Sequence, residues 1–464
     1  MSMRFTLVVL APVAGAVAIR ALSQSVAPLP AQAEPVAAVP AELAEPLPAV
    51  LFKNVQVFDG KLERLSEPTS VLVVGNRIEK SGADVAAPGK ALVIDGKGRT
   101  LMPGLIDAHV HLFMSGSTQA EMYANVDTPE NLNKIAAVQA EKMLLRGFTA
   151  VRDVGGPVFD LKKGIDQGKT VGPRIYPSGA MISQTSGHGD TRLPNERSRR
   201  FFGTPSKGEL LGVNFIADGR PDVLTATREN LRFGASQIKV MAGGGAATVY
   251  DPLDVTQYTL DELKAAVEAA DDWGTYVTVH AYTEKAVRRA VEAGVRCVEH
   301  GQLLDEATIK FLGEKGIWLS LQALDPAPDT APNDIRSKKK QVVEGTDLAY
   351  RMAKKYGLKL AWGTDIMFDP KTAENQSTDI LKLLRWFTEA QALKMLTGDN
   401  AELLALSGNR NPYPGKLGVV EAGALADLIL VDGDPLANLE LVADPEKNFL
   451  VIMKDGKIYK NTVK

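Results

Sequence analysis

Between residues 50 and 100 apolar and polar positions alternate between turns, as in "VLFKNVQVFDG" and "SVLVVGNRIEKSG", and Gly75-Asn76 suits a two-residue hairpin. Near the other end "ADLILVDGDP" and "FLVIMKDGKIYKN" repeat this pattern around Asp455-Gly456, a second hairpin signal. The two ends are therefore expected to form one small β-sandwich domain, from residues 50–100 and 406–464. In between, short apolar strands alternate with amphipathic helices, the arrangement of a parallel sheet wrapped by helices. Eight candidate strands end near "LIDAHVH", "FTAVRDVG", "RIYPSGAMI", "QIKVMAGG", "YVTVHAY", "RCVEHG", "IWLSLQ" and "LKLAWGTD". "TLDELKAAVEAADDWG" has helix-start residues in Thr259, Asp261 and Glu262 and a stop at Gly274. The expected fold is α/β, a (β/α)8 TIM barrel over residues 101–405 with the small domain beside it. In such a barrel the chemistry gathers at the C-terminal strand ends.

The N-terminus departs from this pattern. Arg4 precedes the apolar "FTLVVLAPVAGAVAI", and "AQA" at residues 31–33 is a small-residue cleavage site, so residues 1–33 read as a signal peptide and the protein as exported, periplasmic or secreted. The apolar run is shorter than the ~20 residues of a spanning helix, so no stable membrane span is expected after signal removal, although an uncleaved anchor stays open. The Pro/Ala-rich residues 34–49 serve as a linker.

Composition narrows the partner. The 464 residues are 45% hydrophobic and 23% charged with a net charge of −3, too small and of the wrong sign for nucleic-acid binding by phosphate neutralisation. A small-molecule substrate is expected, as is a homo-oligomer. The single cysteine, Cys297, excludes an intramolecular disulfide and reads as a buried small hydrophobe.

Four of only five histidines fall at candidate strand ends. His109 and His111 are two apart on the first strand and face the same way, into the barrel mouth. His280 and His300 close the fifth and sixth strands, and Asp365 the eighth. Lys239 sits inside the apolar fourth strand, where its ammonium would cost several kcal/mol unless neutralised or paired, and three glycines follow it. Each residue alone has a plain alternative: a hydrogen-bonded core pair for His109 and His111, a salt bridge for Lys239, a helix cap for Asp365. Together, imidazoles, an amine and a carboxylate share a purpose at a metal centre.

This constellation resembles the amidohydrolase superfamily over nearly the whole chain from about residue 50. The order HxH, Lys, His, His, Asp on strands one, four, five, six and eight is matched, and "MPGLIDAHVH", "VEHG" and "GTD" match family motifs. "SGHGD" at residues 186–190, "KVMAGGG" and "HAYT" are similar to the imidazolonepropionase-related amide hydrolases, a subgroup with dipeptidases, carboxypeptidase-like enzymes and ochratoxin-cleaving amidases. The resemblance implies that CO2 carboxylates Lys239 and that the carbamate bridges two divalent metal ions, zinc first, with manganese, cobalt or iron open. It assigns His109, His111 and Asp365 to one ion and His280 and His300 to the other. It implies attack by a metal-bridging hydroxide, with Asp365 as the catalytic general base and then acid. By the same resemblance His188, in the loop after strand three, contacts the substrate or its oxyanion; a turn-capping histidine is the alternative. Tyr282 is a second candidate for a substrate carbonyl or carboxylate, or else a packing residue.

The expected reaction is release of an amino acid from dipeptides or N-acyl amino acids, aryl amides of phenylalanine of the ochratoxin type included. A mononuclear deaminase or cyclic-amide (imidazolone-type) hydrolase is the alternative, which Lys239 disfavours because one metal needs no bridging carbamate. A non-catalytic scaffold would have lost ligands, and here none is lost. The loop at residues 184–221, with Arg192, Arg197, Arg199, Arg200, Phe201, Phe202 and Phe215, reads equally as a wall recognising a carboxylate beside an aromatic group or as a solvated rim. "RSKKKQ" at residues 336–341 reads as an exposed helix start.

Overall fold

The computed structural model describes residues 48–248 and 250–463; the expected signal peptide, 1–33, and most of the linker lie outside them. The alternating N-terminal segment forms β1 (Ala49–Val57), β2 (Thr69–Val74), β3 (Arg77–Gly82), β4 (Leu92–Asp95) and β5 (Thr100–Pro103). The central strands are β6 (Leu105–Val110), β7 (Phe148–Asp153), β8 (Arg174–Pro177), β9 (Met181–Ser183), β10 (Asn214–Ile216), β11 (Ile238–Met241), β12 (Val277–Thr283), β13 (Cys297–Leu303), β14 (Trp318–Leu321) and β15 (Lys359–Trp362). The C-terminal pattern supplies β16 (Leu428–Val431), β17 (Phe449–Lys454) and β18 (Lys457–Asn461).

Strands from both ends of the chain share one eight-stranded sheet, ordered β18-β17-β16-β5-β1-β2-β3 with β4 on β1. Gly75-Asn76 joins β2 to β3 and Asp455-Gly456 joins β17 to β18, the two-residue loops that suit the twist of antiparallel strands. The inward positions of these strands, among them Phe52, Val71, Val73, Leu101, Leu428 and Val451, bury a core of their own.

The central strands are parallel and make a barrel in two sheets, β6-β7-β8 and β10-β9-β11-β12-β13-β14-β15. The single third strand expected at "RIYPSGAMI" is in fact β8 and β9, broken at Gly179 (φ +79°). Asn230 spans the break: its Oδ1 accepts from Ala180 N–H at 3.0 Å and its Nδ2 donates to Ala180 C=O at 2.8 Å. Asn400 fills the other seam, donating to Ile106 C=O (2.7 Å) on β6 and Trp362 C=O (2.9 Å) on β15 and accepting from Trp362 N–H (3.1 Å). Side-chain amides therefore satisfy the backbone groups where no strand ladder does.

Helices follow the strands as the pattern requires. Leu260–Asp272 opens on a reciprocal capping box between Thr259 and Glu262 and turns its alanines, Leu263 and Val267 inward. Gly274 follows its C-cap in the left-handed conformation (φ +67°) that a helix stop favours.

Candidate metal centre

Alternation along β6 sends His109 and His111 to the same side, and each ring is held by its Nδ1. His109 Nδ1 donates to Glu299 Oε2 at 2.8 Å and His111 Nδ1 donates to Gly155 C=O at 3.0 Å. Both Nε2 atoms then turn to one carboxylate, lying 3.1 Å and 3.3 Å from Asp365 Oδ1. His300 Nδ1 is 3.9 Å from the other oxygen, Oδ2. The His280 ring packs 4.4 Å from that of His300, centroid to centroid, and its Nε2 donates to Gly244 C=O at 3.0 Å.

Two of these residues hold rare backbone conformations. His300 has φ +78° and Asp365 φ +55°, left-handed values that cost a side-chain-bearing residue on the order of 1 kcal/mol or more. At His300 this breaks the strand alternation, so that consecutive residues Glu299 and His300 both reach His109. At the eighth strand, a Cβ on Gly363 would stand 2.4 Å from His109 backbone N, so only glycine lets β15 close against β6 here.

Lys239 is buried and makes no hydrogen bond or ion pair among the described residues. Burial pushes its ammonium pKa down, more than the Glu299 and Asp365 carboxylates raise it, and its charge acts on all four surrounding imidazoles. Burial also holds His111, His280 and His300 below the usual histidine range. For Asp365 burial works upward, but His109 and the other imidazoles outweigh it and hold the carboxyl well below the usual range.

A metal ion fits this donor set. Among the described residues His109 Nε2 and His300 Nδ1 are buried without hydrogen-bond partners, and the ligand atoms of His109, His300 and Asp365 lie within 4.8 Å of one another. Neutral imidazole nitrogens and a carboxylate oxygen are the ligands a borderline divalent ion takes.

His188 lies face to face with His280, ring centroids 4.0 Å apart and planes 18° apart. Its Nδ1 donates to Asp251 Oδ2 at 3.0 Å, which leaves Nε2 for another partner. The glycines after β11 make room for this: a Cβ on Gly245 would fall 1.8 Å from His188 Nδ1. Tyr282 stands over His300 and His280, both at 5.1 Å between centroids, and burial keeps its hydroxyl protonated. All eight residues singled out in the sequence therefore belong to one cluster of contacting or electrostatically coupled side chains.

Sequence reasoning passed over the support beneath them. Glu299 bridges His109 to the buried Arg152, whose Nη2 donates to Glu299 Oε1 at 2.7 Å and whose Nε donates to Ala108 C=O at 2.6 Å. Asp107 accepts from His109 N–H, Thr364 and Gln376. The available signal was the one that exposed Lys239, a charged residue inside an apolar strand. Two expectations change. The arginines of the 184–221 loop are taken up by Asp190, Glu209 and Asp222, with Arg197 over Phe202, while Phe201 and Phe202 are 80% and 60% exposed, so this stretch is a solvated rim. "RSKKKQ" is not wholly exposed: Lys338 donates to Thr248 C=O and Asp251 C=O, and Lys339 is half-buried.

A parallel barrel with a polar centre of this composition at its C-terminal mouth defines a hydrolase that acts on amide bonds. The chain belongs to the amidohydrolase family, whose model matches residues 100–459. It is 31% identical to ochratoxinase of Aspergillus niger over 371 residues, 78% of this chain and 75% of the relative. A prolidase solved with N-methylphosphonate-L-proline superposes with a TM-score of 0.80 at 32% identity, covering 89% of this chain and 100% of that one. An Xaa-Pro dipeptidase with methionine in its active site gives 0.76 at 28% identity, covering 89% and 100%.

Proposed function

We propose that this chain is a binuclear metal-dependent amide hydrolase that releases an amino acid from dipeptides or N-acyl amino acids, ochratoxin-type aryl amides of phenylalanine included. The observation that carries the reading is Lys239, an amine buried among four imidazoles with no hydrogen-bond or ion-pair partner among the described residues. Carboxylation by CO2, with loss of two protons from the ammonium, turns it into an anionic carbamate that offers oxygen ligands and removes the cost of burying the cation. His109, His111 and Asp365 would hold one ion, His280 and His300 the other, with the Lys239 carbamate shared and zinc as the metal. When bound, two such ions supply Lewis acidity and a water acidic enough to attack at neutral pH.

The chain's own groups do the rest. Asp365 accepts the proton of the attacking water and passes it to the leaving amine, its carboxyl being ionised beforehand. His188, held by Asp251 through Nδ1, directs Nε2 at the scissile carbonyl oxygen and donates to it in its imidazolium form, and the protonated Tyr282 hydroxyl is a second donor on the same side. The names of the relatives, ochratoxinase, prolidase and Xaa-Pro dipeptidase, support the same bond type. A one-metal deaminase or cyclic-amide hydrolase fits the compact His109, His300 and Asp365 set but leaves Lys239 without a role.

The test is metal content, native mass and a substrate library on one preparation. Two ions per chain, a Lys239 heavier by one CO2, and amino acids released from dipeptides or N-acyl amino acids are expected, with activity lost on chelation and restored by zinc. Full activity with one ion per chain would replace this reading by the one-metal alternative. Export directed by residues 1–33 and a homo-oligomeric state belong to the same proposal, and cell fractionation and light scattering check them.

A further inference from the structure

Strand β7 carries none of the residues assigned to metal, yet its last two positions reach both histidines of β6. Side chains at consecutive strand positions leave on opposite sides. Arg152 leaves on one side and, through Glu299, fixes the His109 ring. Asp153 leaves on the other and meets the backbone around His111. It is fully buried, and its carboxylate accepts two backbone hydrogen bonds, Oδ2 from Leu112 N–H at 2.8 Å and Oδ1 from Gly155 N–H at 3.1 Å.

These two donors stand on either side of the ligand. Leu112 directly follows His111, and Gly155 supplies the carbonyl to which His111 Nδ1 donates at 3.0 Å. One carboxylate therefore grips both the backbone next to His111 and the residue that orients its ring. Between them Val154 N–H donates to Val110 C=O at 3.0 Å, which keeps the end of β7 on β6. The turn lies against the imidazole: a Cβ on Gly155 would fall 2.5 Å from Met181 Cγ and 3.1 Å from His111 Cε1, so glycine is needed there. Leu112 also opens the short helix Leu112–Ser115, whose Met114 C=O accepts from Phe368 N–H at 2.9 Å, three residues past Asp365. The grip on Leu112 thus extends to the segment that carries Asp365.

The residue type fits this task and little else. Burying a carboxylate is costly unless donors meet its charge, and no side chain hydrogen-bonds or ion-pairs with Asp153 among the described residues. A carboxylate is acceptor-only and can face two N–H groups at once, whereas an asparagine would turn its own NH2 toward one of them.

We infer that Asp153 is a positioning residue for His111 and, through the Leu112–Ser115 helix, for Asp365, so that it sets the affinity of the ion these two ligands share with His109. The inference rests on the ligand assignment proposed above and concerns one ion of the two. Removing a group that orients a metal-bound imidazole costs about 10- to 100-fold in metal affinity.

The test compares wild type with Asp153→Asn, Asp153→Ala and, as a control, Asn230→Ala, which loses the bridge across the Gly179 break. Stepwise zinc binding by equilibrium dialysis should show one ion weakened about 10-fold or more in Asp153→Asn and further in Asp153→Ala, with the other ion little changed. Asn230→Ala should lose stability and keep both affinities. The visible absorption of cobalt(II)-loaded protein, which reports ligand geometry, should change in the Asp153 variants and not in the control. Amide exchange of metal-free protein should quicken at Leu112 and Gly155. Affinities and cobalt spectra unmoved in both Asp153 variants would overturn the inference, and so would equal weakening in Asn230→Ala, because lost stability would then account for it. Two ions in wild type with unmoved Asp153 variants would leave the proposed function standing without this residue. A single ion in wild type, weakened in the Asp153 variants alone, would do the reverse, and a wild type that binds no metal would refute both. Melting curves without metal confirm that each variant is folded, and Asp153→Asn carries the comparison should Asp153→Ala fail to fold.

Discussion

Glu299 joins His109 to Arg152: its Oε2 accepts from His109 Nδ1 at 2.8 Å and its Oε1 from Arg152 Nη2 at 2.7 Å, with all three side chains buried. The carboxylate fixes the tautomer that turns His109 Nε2 toward Asp365 at the candidate metal site while the guanidinium balances its charge. Burial by itself would raise the Glu299 pKa, but Arg152 first and then His109 hold it well below the usual range. Glu299→Gln should weaken metal binding about 10- to 100-fold and destabilise the fold by about 3–5 kcal/mol, because Arg152 is left buried without its counter-charge. Equilibrium dialysis and denaturant unfolding measure the two effects, and an unchanged metal affinity would remove Glu299 from the support of the centre.

The His188–Asp251 contact of 3.0 Å yields a prediction about coupling. Asp251→Ala should lower kcat about 10-fold or more in the wild-type background and cost nothing further once His188→Ala is present, since Asp251 acts through the imidazole. Additive losses in the double variant would assign Asp251 a different task.

Asn400 makes three hydrogen bonds to the backbones of β6 and β15. Asn400→Ala leaves those buried groups unpaired and should cost about 3 kcal/mol or more. Faster amide exchange is expected at Trp362, where the Asn400 side chain is the acceptor. Protection unchanged at Trp362 would show that the seam closes without this side chain.

Lys454, away from the centre, tests the pH dependence of stability. Burial pushes its pKa from 10.5 down to about 8, despite Asp427, while its Nζ donates to Gly172 C=O. The unfolded chain therefore binds more protons than the folded one between these values, and the burial penalty is complete below about 8 and gone above 10.5. Replacing it by methionine removes that slope, so Lys454→Met should compare better with wild type at pH 7 than at pH 10, by on the order of 2 kcal/mol. Guanidinium unfolding at the two pH values decides it, and a constant difference would contradict the depressed pKa.

The sequence by itself determined the local elements and which residue types stand at the candidate centre. Hairpin turns at Gly75-Asn76 and Asp455-Gly456, the Thr259–Glu262 cap and the polar residues at apolar strand ends depend on neighbours within a few positions, and the structure contains each of them. Only the tertiary structure decided what those polar residues meet. His109 and Glu299 are 190 positions apart, and the positive φ of His300 that brings Glu299 and His300 to the same ring breaks the period on which strand reading relies. Asn230 bridges the Gly179 break from fifty positions away, and Lys338, Lys339 and Lys340, identical in sequence, differ in burial and in partner. Periodicity records which way a side chain leaves its own element; which distant group it then meets is set by barrel closure and by the burial of charge, and neither quantity is a property of any short stretch of chain.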